Sequence, residues 1–166
     1  RAGVSQVTIY NHFGSKEDLF EKALRHYYSQ FTKGNGAEFL QSNQPIEIAV
    51  RRLLDSTARN LLENKDRCGC FLVNTLTETA VDTSGIASLS RALAENRNEM
   101  LKARISRAQT DGELRTVVPA RQIADFLAAL MMAIVAMVSE GADRKTIDGI
   151  IGMAMTALPL TGQAKG

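Results

Sequence analysis

Apolar residues recur every three or four positions along most of the chain, which is the period of an amphipathic α-helix. Two such stripes run over residues 20–31 and 46–62, where aliphatic and aromatic residues recur at spacings of three and four among polar ones. Further helices are predicted over about residues 70–80 and 85–110, the second ending at a glycine. No segment shows the two-residue alternation of a half-buried strand. The pattern therefore predicts an all-α fold.

The two C-terminal stripes, after Pro119 and after Gly141, are richer in apolar residues than the others. Over residues 126–138 even the positions off the stripe are apolar, and a helix that is hydrophobic all round must be covered on every side. A core helix wrapped within one subunit is one interpretation. We favour a homodimer in which these two long helices pair with their copies as a four-helix bundle, because Gly149 and Gly152 allow a neighbouring helix to approach closely.

The composition is that of an ordinary globular protein, and it does not show whether the protein binds nucleic acid. The chain has 166 residues, 45% of them hydrophobic, and its 20 basic and 18 acidic residues give a net charge of only +2. This charge does not by itself indicate nucleic-acid binding. The longest apolar run is shorter than the roughly 20 residues of a membrane-spanning helix, and no signal peptide is evident. We therefore expect a cytoplasmic protein with no membrane partner.

The stretch GVSQVTIYNHFGSKEDLF, near the start of the chain, contains the signals of two helices joined by a tight turn. Ser5 is a suitable N-cap, and Gly14 suits the left-handed conformation that ends a helix, so the first helix is predicted over about residues 6–13. Ser15 is the predicted N-cap of the second helix, where Asp18 completes a capping box.

One side of the first of these helices carries groups that suit a DNA major groove. Amide, hydroxyl and methyl groups read base edges, while tyrosine and lysine side chains hold phosphates. The predicted base contacts are Gln6, Val7, Thr8 and Asn11, and the predicted phosphate contacts are Ser5, Tyr10 and Lys16. The alternative is that these residues form only a solvated face on two packed helices.

The segment AGVSQVTIYNHFGSKEDLF, residues 2–20, resembles the recognition helix and the following helix of the TetR family of bacterial transcriptional regulators. Members share a small residue before Gly-Val-Ser, a tyrosine five residues after that serine, a phenylalanine three further on, and a Ser-Lys-Glu start to the next helix. Weaker similarities lie in RCGCFLVNTLTE and TDGEL. The resemblance implies a helix-turn-helix domain that binds double-stranded operator DNA, and two further helices before this point that are missing from the chain.

We place the boundary between two domains at the Gly/Asn cluster of residues 34–36. Residues 1–33 are then a partial helix-turn-helix DNA-binding domain, and residues 34–166 a helical effector-binding and dimerisation domain. The predicted function is a ligand-responsive transcriptional regulator, a repressor released from its operator by a small, largely hydrophobic molecule. The alternative is a helical protein-interaction or ligand-binding module without DNA binding.

The predicted effector site lies where the helices over residues 46–62, 70–80, 85–110 and 126–138 converge. Its lining is expected to be mostly apolar and adaptable, with a few polar contacts. The predicted residues are Phe71, Asn74, Thr75, Glu78, Met100, Ile105, Met131 and Met132. The alternative is a filled core, because methionine stripes usually serve packing.

The sequence offers little for catalysis or for metal binding. It has two histidines, and it lacks a nucleophile elbow, a phosphate-binding glycine loop and metal-ligand spacing, so no enzyme activity, metal or cofactor is expected. Cys68 and Cys70 are too close for an easy disulfide and too few for a structural zinc site. Reduced structural thiols are the default interpretation, and a sensor of oxidants or electrophiles at Cys68 or Cys70 is the alternative.

Overall fold

A computed structural model describes residues 6–63, 69–82 and 84–161, except for the side chains of Gln6, Val7, Ile9 and Tyr10. These residues form eight helices: α1 Gln6–Phe13, α2 Lys16–Lys33, α3 Asn35–Gln41, α4 Ile46–Leu62, α5 Phe71–Glu78, α6 Gly85–Thr110, α7 Ala120–Ser139 and α8 Arg144–Ala157. Within these ranges the only β-type pairing is one isolated antiparallel bridge between Leu114 and Leu160. The all-α fold predicted from the helical period is confirmed.

The turn between α1 and α2 forms as its residue types predict. Ser15 Oγ accepts a hydrogen bond from the Asp18 N–H at 3.0 Å, and Asp18 Oδ2 accepts one from the Ser15 N–H at 3.0 Å, which completes the predicted capping box. Gly14 has φ +95°, and a Cβ there would lie 2.7 Å from Asp18 Oδ2, so this position requires glycine. The predicted N-cap of α1, Ser5, lies outside the described residues.

The segment after α2 contains a helix that the sequence pattern did not predict. Helix α2 ends at Lys33, as expected from the Gly/Asn cluster, but the chain turns at Gly34 and continues directly into α3. A Cβ on Gly36 would lie 2.9 Å from the Phe31 carbonyl oxygen, so glycine here permits close packing of α3 on the end of α2. The glycines that favour a break thus also serve a helix contact.

The body has one large core and one smaller cluster. Helices α4, α7, α8 and the C-terminal half of α6 form the large core around fully buried residues such as Leu54, Ile105 and Leu127. The smaller cluster joins α2 to α5 and α6 through Leu24 and Leu72. Helix α2 therefore packs on the body along most of its length, while its first turns contact α1.

Helix α7 is long and apolar enough to cross a membrane by length and composition alone, but it packs against α4, α6 and α8. Its remaining side is exposed and apolar: Phe126, Ala129, Met132, Ala133 and Ala136. On α8, Met153 is 72% exposed. A Cβ added at either glycine of α8 would meet nothing within 4 Å. An apolar face of α7 and the Met153 side chain of α8 thus lie uncovered in the single chain.

Candidate DNA-binding helix and effector cavity

Helix α1 is attached to the start of α2 and presents polar residues to solvent. Thr8, Asn11 and Lys16, three of the seven predicted DNA contacts, are exposed. Lys22 Nζ lies 3.5 Å from the Phe13 carbonyl oxygen and 5.4 Å from the centre of the Phe13 ring, so it fastens the end of α1 to α2. Of the other predicted contacts, Ser5 lies outside the described residues, and the side chains of Gln6, Val7 and Tyr10 are not described.

A cavity of about 370 Å³, partly open to solvent, lies in the body between α2, α3, α4, α5, α6 and α7. This volume falls in the range of small-molecule sites, about 300–1,000 Å³. The apolar side chains of the wall are Tyr27, Tyr28, Phe31, Leu61, Leu72, Val73, Met131 and Val135, and the polar ones are Gln30, Asn35, Thr57, Asn60, Cys70 and Arg97. Helix α2, which carries α1 at its other end, contributes all three aromatic rings.

The structure brings one of the eight predicted effector residues, Met131, to the cavity wall. Ile105 is fully buried in the large core, Met100 is half-buried, and Met132 and Glu78 are exposed. The observed cavity lies closer to α2 than the effector site that we predicted at the convergence of four other helices.

The three remaining predicted residues belong to α5, beside the cavity. The Phe71 ring packs edge-on against Phe20 and Tyr27, with ring centres 5.0 and 5.8 Å apart. Thr75 is buried and donates its hydroxyl hydrogen to the Phe71 carbonyl oxygen at 2.8 Å. Asn74 is exposed on the same helix.

Two polar residues that the sequence analysis did not select shape the cavity. Arg97 is only 7% exposed, and its Nε and Nη2 donate to Asn98 Oδ1 at 3.2 and 3.1 Å, while burial lowers the pKa of its guanidinium. The Tyr28 hydroxyl donates to Asn96 Oδ1 at 2.9 Å, and burial raises its pKa to about 12. Tyr28 therefore remains a neutral donor near neutral pH.

The cavity wall also includes a free thiol, Cys70, which is half-buried. The neighbouring Tyr27 hydroxyl has a pKa raised above its ordinary value by burial and by this thiol. The other cysteine of the sequence, Cys68, lies outside the described residues. Across residues 6–63, 69–82 and 84–161, no three histidine, cysteine, aspartate or glutamate side chains form a group that would hold a metal ion.

Comparison with solved structures supports the fold. A cysteine-substituted form of the TetR family transcriptional regulator CifR, complexed with 26-bp operator DNA, superposes with a TM-score of 0.82 at 22% identity, covering 94% of this chain and 81% of that chain. AibR in complex with isovaleryl coenzyme A and operator DNA superposes with a TM-score of 0.69 at 16% identity, covering 92% and 81% of the two chains. These similarities establish a shared helical architecture.

Sequence comparison extends the similarity to the family level. The chain is 23% identical over 157 residues to the HTH-type transcriptional repressor ComR of Escherichia coli strain K12. The matched region covers 95% of this chain and 75% of ComR. Residues 1–23 match the family of bacterial regulatory proteins of the tetR type. Residues 47–153, more than half of the chain, match the tetracyclin repressor-like C-terminal domain. The chain belongs to the TetR family of bacterial transcriptional regulators.

Proposed function

We propose that this protein is a cytoplasmic homodimeric repressor that binds operator DNA through α1 and leaves it when a small molecule fills the cavity. The observation that carries the proposal is the double role of α2. Its first turns contact α1, and Tyr27, Tyr28 and Phe31 near its other end form a wall of the cavity. A ligand that repacks this wall therefore acts on the helix that positions α1.

Relatives of the chain support the DNA-binding, ligand-binding and repressor parts of this function. CifR has been captured with its operator DNA, and AibR with both an acyl coenzyme A and operator DNA. ComR is a transcriptional repressor. By family and by these relatives the protein is a regulator, and we propose no enzymatic activity for it.

We propose that α1 enters the DNA major groove. Its amide, hydroxyl and methyl side chains, Gln6, Val7, Thr8 and Asn11, would face base edges, whereas Ser5, Tyr10 and Lys16 would hold phosphates. Exposure of Thr8, Asn11 and Lys16 supports this arrangement. Lys16 is the first residue of α2. It follows the turn at Gly14 and therefore lies close to the end of α1.

The two classes of contact predict different consequences for DNA binding. The natural full-length protein would first be used to select an operator from random duplexes, and the dissociation constants for operator and random DNA would then be measured against salt. Lys16→Ala should weaken binding to all duplexes and lower the salt slope by about one unit. Gln6→Ala should cost about 1–3 kcal/mol on the operator and much less on random DNA.

Lys33→Ala is the matched control, because it removes the same exposed charge from the opposite end of α2. It should leave both affinities and the salt slope near their wild-type values. Equal losses on operator and random DNA for Gln6→Ala would contradict the base contact. A protein that selects no duplex would overturn the proposed function.

We further propose that the exposed apolar face of α7, together with Met153 and the two glycines of α8, forms a two-fold dimer interface. Side chains such as Phe126, 39% exposed, and Met153 on the adjacent helix are costly to leave in water. The open space beside Gly149 and Gly152 supports close approach of a partner helix. A four-helix bundle of α7, α8 and their copies would cover the α7 face and Met153 at once.

A further inference from the structure

The cavity wall contains a buried positive charge that has no carboxylate partner among the described residues. Arg97 on α6 is 7% exposed, and its Nε and Nη2 donate to a neutral acceptor, Asn98 Oδ1. Among the described residues no carboxylate lies within 4.0 Å of its guanidinium, whereas Arg121 on α7 contacts three. A buried charge of this kind is unfavourable unless something of opposite sign pairs with it.

The other described residues around the cavity contain no carboxylate that could provide that opposite charge. Of the described residues that line it, Arg97 is the only charged one, and the others are aromatic, aliphatic, amide, hydroxyl or thiol groups. Cys70 and Tyr28 both interact electrostatically with Arg97, and the Tyr28 hydroxyl, with a pKa of about 12, is neutral near pH 7. The described wall therefore presents one cation and no carboxylate.

The guanidinium is also held in place for a ligand. Asn98 Oδ1 accepts two of its N–H groups, and Asn98 Nδ2 donates to Asp125 Oδ1 at 3.4 Å, which ties this amide to α7. The Nη1 atom of Arg97 makes no hydrogen bond to the described residues. An arginine fixed on one edge with donors left over is suited to binding a carboxylate.

We propose that the cavity binds an organic acid that carries one carboxylate on a compact apolar body. The carboxylate would pair with Arg97, and the body would lie against Tyr28, Phe31 and Val135. A single cation matches a monocarboxylate better than a phosphate ester, whose second negative charge would need another positive group. This inference rests on the proposed function, for which it names the effector class.

Isothermal titration of the natural full-length protein tests this inference with two acids and their primary amides. The probes are 3-phenylpropionate and octanoate, compared with 3-phenylpropanamide and octanamide, which keep the apolar body and lose the charge. Each acid should bind at least about tenfold more tightly than its amide, because charge-assisted hydrogen bonds in a buried site are worth that much.

Substitution of the arginine should remove this preference. Arg97→Met keeps the length and the apolar stem, and it should weaken binding of both acids about tenfold or more while changing the amides by less than about threefold. Arg97→Lys keeps the charge and should restore part of the preference for acids. Thermal unfolding of each variant shows whether it is folded.

The inference is overturned if acid and amide bind wild-type protein equally, if neither acid binds at millimolar concentration, or if folded Arg97→Met keeps the preference. The wild-type comparison alone decides the question if Arg97→Met fails to fold. Operator binding, measured on the ligand-free protein, separates the two proposals. Acid binding through Arg97 without operator binding would contradict the repressor, and operator binding without acid binding would contradict the effector class.

Discussion

At the residue scale, Asp18 caps the start of α2, directly after the turn from α1, through two hydrogen bonds to Ser15. Its Oδ2 accepts from the Ser15 N–H at 3.0 Å and from the Ser15 hydroxyl at 2.8 Å, and these bonds hold the pKa of its carboxyl below the ordinary 3.8. A carboxyl whose pKa is lowered by folding stabilises the protein above its unfolded pKa. This stabilisation is lost as the pH falls through the folded pKa.

Asp18→Asn should therefore lower the free energy of unfolding near neutral pH, and the difference from wild type should shrink as the pH falls below about 4. Urea unfolding at a series of pH values measures this difference. Glu17→Gln, which neutralises an exposed carboxylate in the same turn, is the control. A difference for Asp18→Asn that stays constant with pH would contradict the assignment.

Single residues also show which parts of the cavity wall have a signal in the sequence and which do not. Met131 was selectable because it lies on the apolar stripe of a core helix, and it does line the cavity. Arg97 lies in the polar stretch AENRNEM, which has the composition of a solvated helix face. Its burial comes from α2 and α5 packing over it, and that packing has no local signal in the sequence.

At the scale of the elements, Arg104 joins the start of α4 to α6 and to the turn after α6. This arginine is buried, its Nη2 donates to the Gln44 carbonyl oxygen at 2.9 Å, and it lies 3.8 Å from Glu113 Oε1. Glu113 Oε2 also accepts the N–H of Ile46, the first residue of α4. The carboxylate thus neutralises a buried cation and caps a helix.

Glu113→Ala should lower the free energy of unfolding by about 2–4 kcal/mol, because it leaves Arg104 buried without its carboxylate. This range is below that of a fully buried pair, since the Glu113 side chain is 27% exposed. Urea unfolding monitored by circular dichroism measures the loss. Glu95→Ala, which breaks an exposed pair with Arg121, is the control and should cost clearly less. Equal midpoints for the two variants would contradict this role.

The helices themselves were largely predictable because each carries its own apolar stripe and end signals. The boundary residues Ser15, Gly112 and Pro119 set where α2 begins, where α6 ends and where α7 begins. Helix α3 was not predictable in this way, because Gly34 precedes it and Gly36 lies in its first turn, and such glycines normally indicate a break. Its place depends on Phe39 entering the core and on close contact of Gly36 with Phe31, which are tertiary effects.

At the scale of the whole molecule, the cavity and α1 are connected through α2. A substitution that takes up ligand space from another wall, and changes no residue of α2, should block the response to ligand without blocking DNA binding. Met131→Trp places a larger side chain in the cavity from α7. The cavity lies near the end of α2 that is remote from α1. We expect operator affinity to stay within about threefold of wild type, and the loss of affinity caused by saturating octanoate to disappear. Fluorescence anisotropy of labelled operator, with and without octanoate, measures both quantities.

Met131→Leu is the control for this experiment, because it conserves volume and should keep the response. A Met131→Trp protein that folds and still responds fully would place the effector outside this cavity. Loss of operator binding in Met131→Trp without ligand would show that the substitution mimics the ligand-bound state. That result would contradict the expected separation of the two activities.

The proposed dimer interface has the exposed apolar face of α7 at its centre. Ala129 lies in the middle of the exposed apolar face of α7, and a glutamate there would bring two like charges together across a two-fold axis in an apolar interface. We therefore expect Ala129→Glu to convert a dimer into a monomer at micromolar concentration, as measured by light scattering, and to weaken operator binding. Val81→Glu adds the same charge at an apolar residue that is 99% exposed in the turn after α5, so it should remain dimeric. A wild-type monomer, or an Ala129→Glu dimer as stable as that of Val81→Glu, would show that these parts of α7 and α8 do not form the interface.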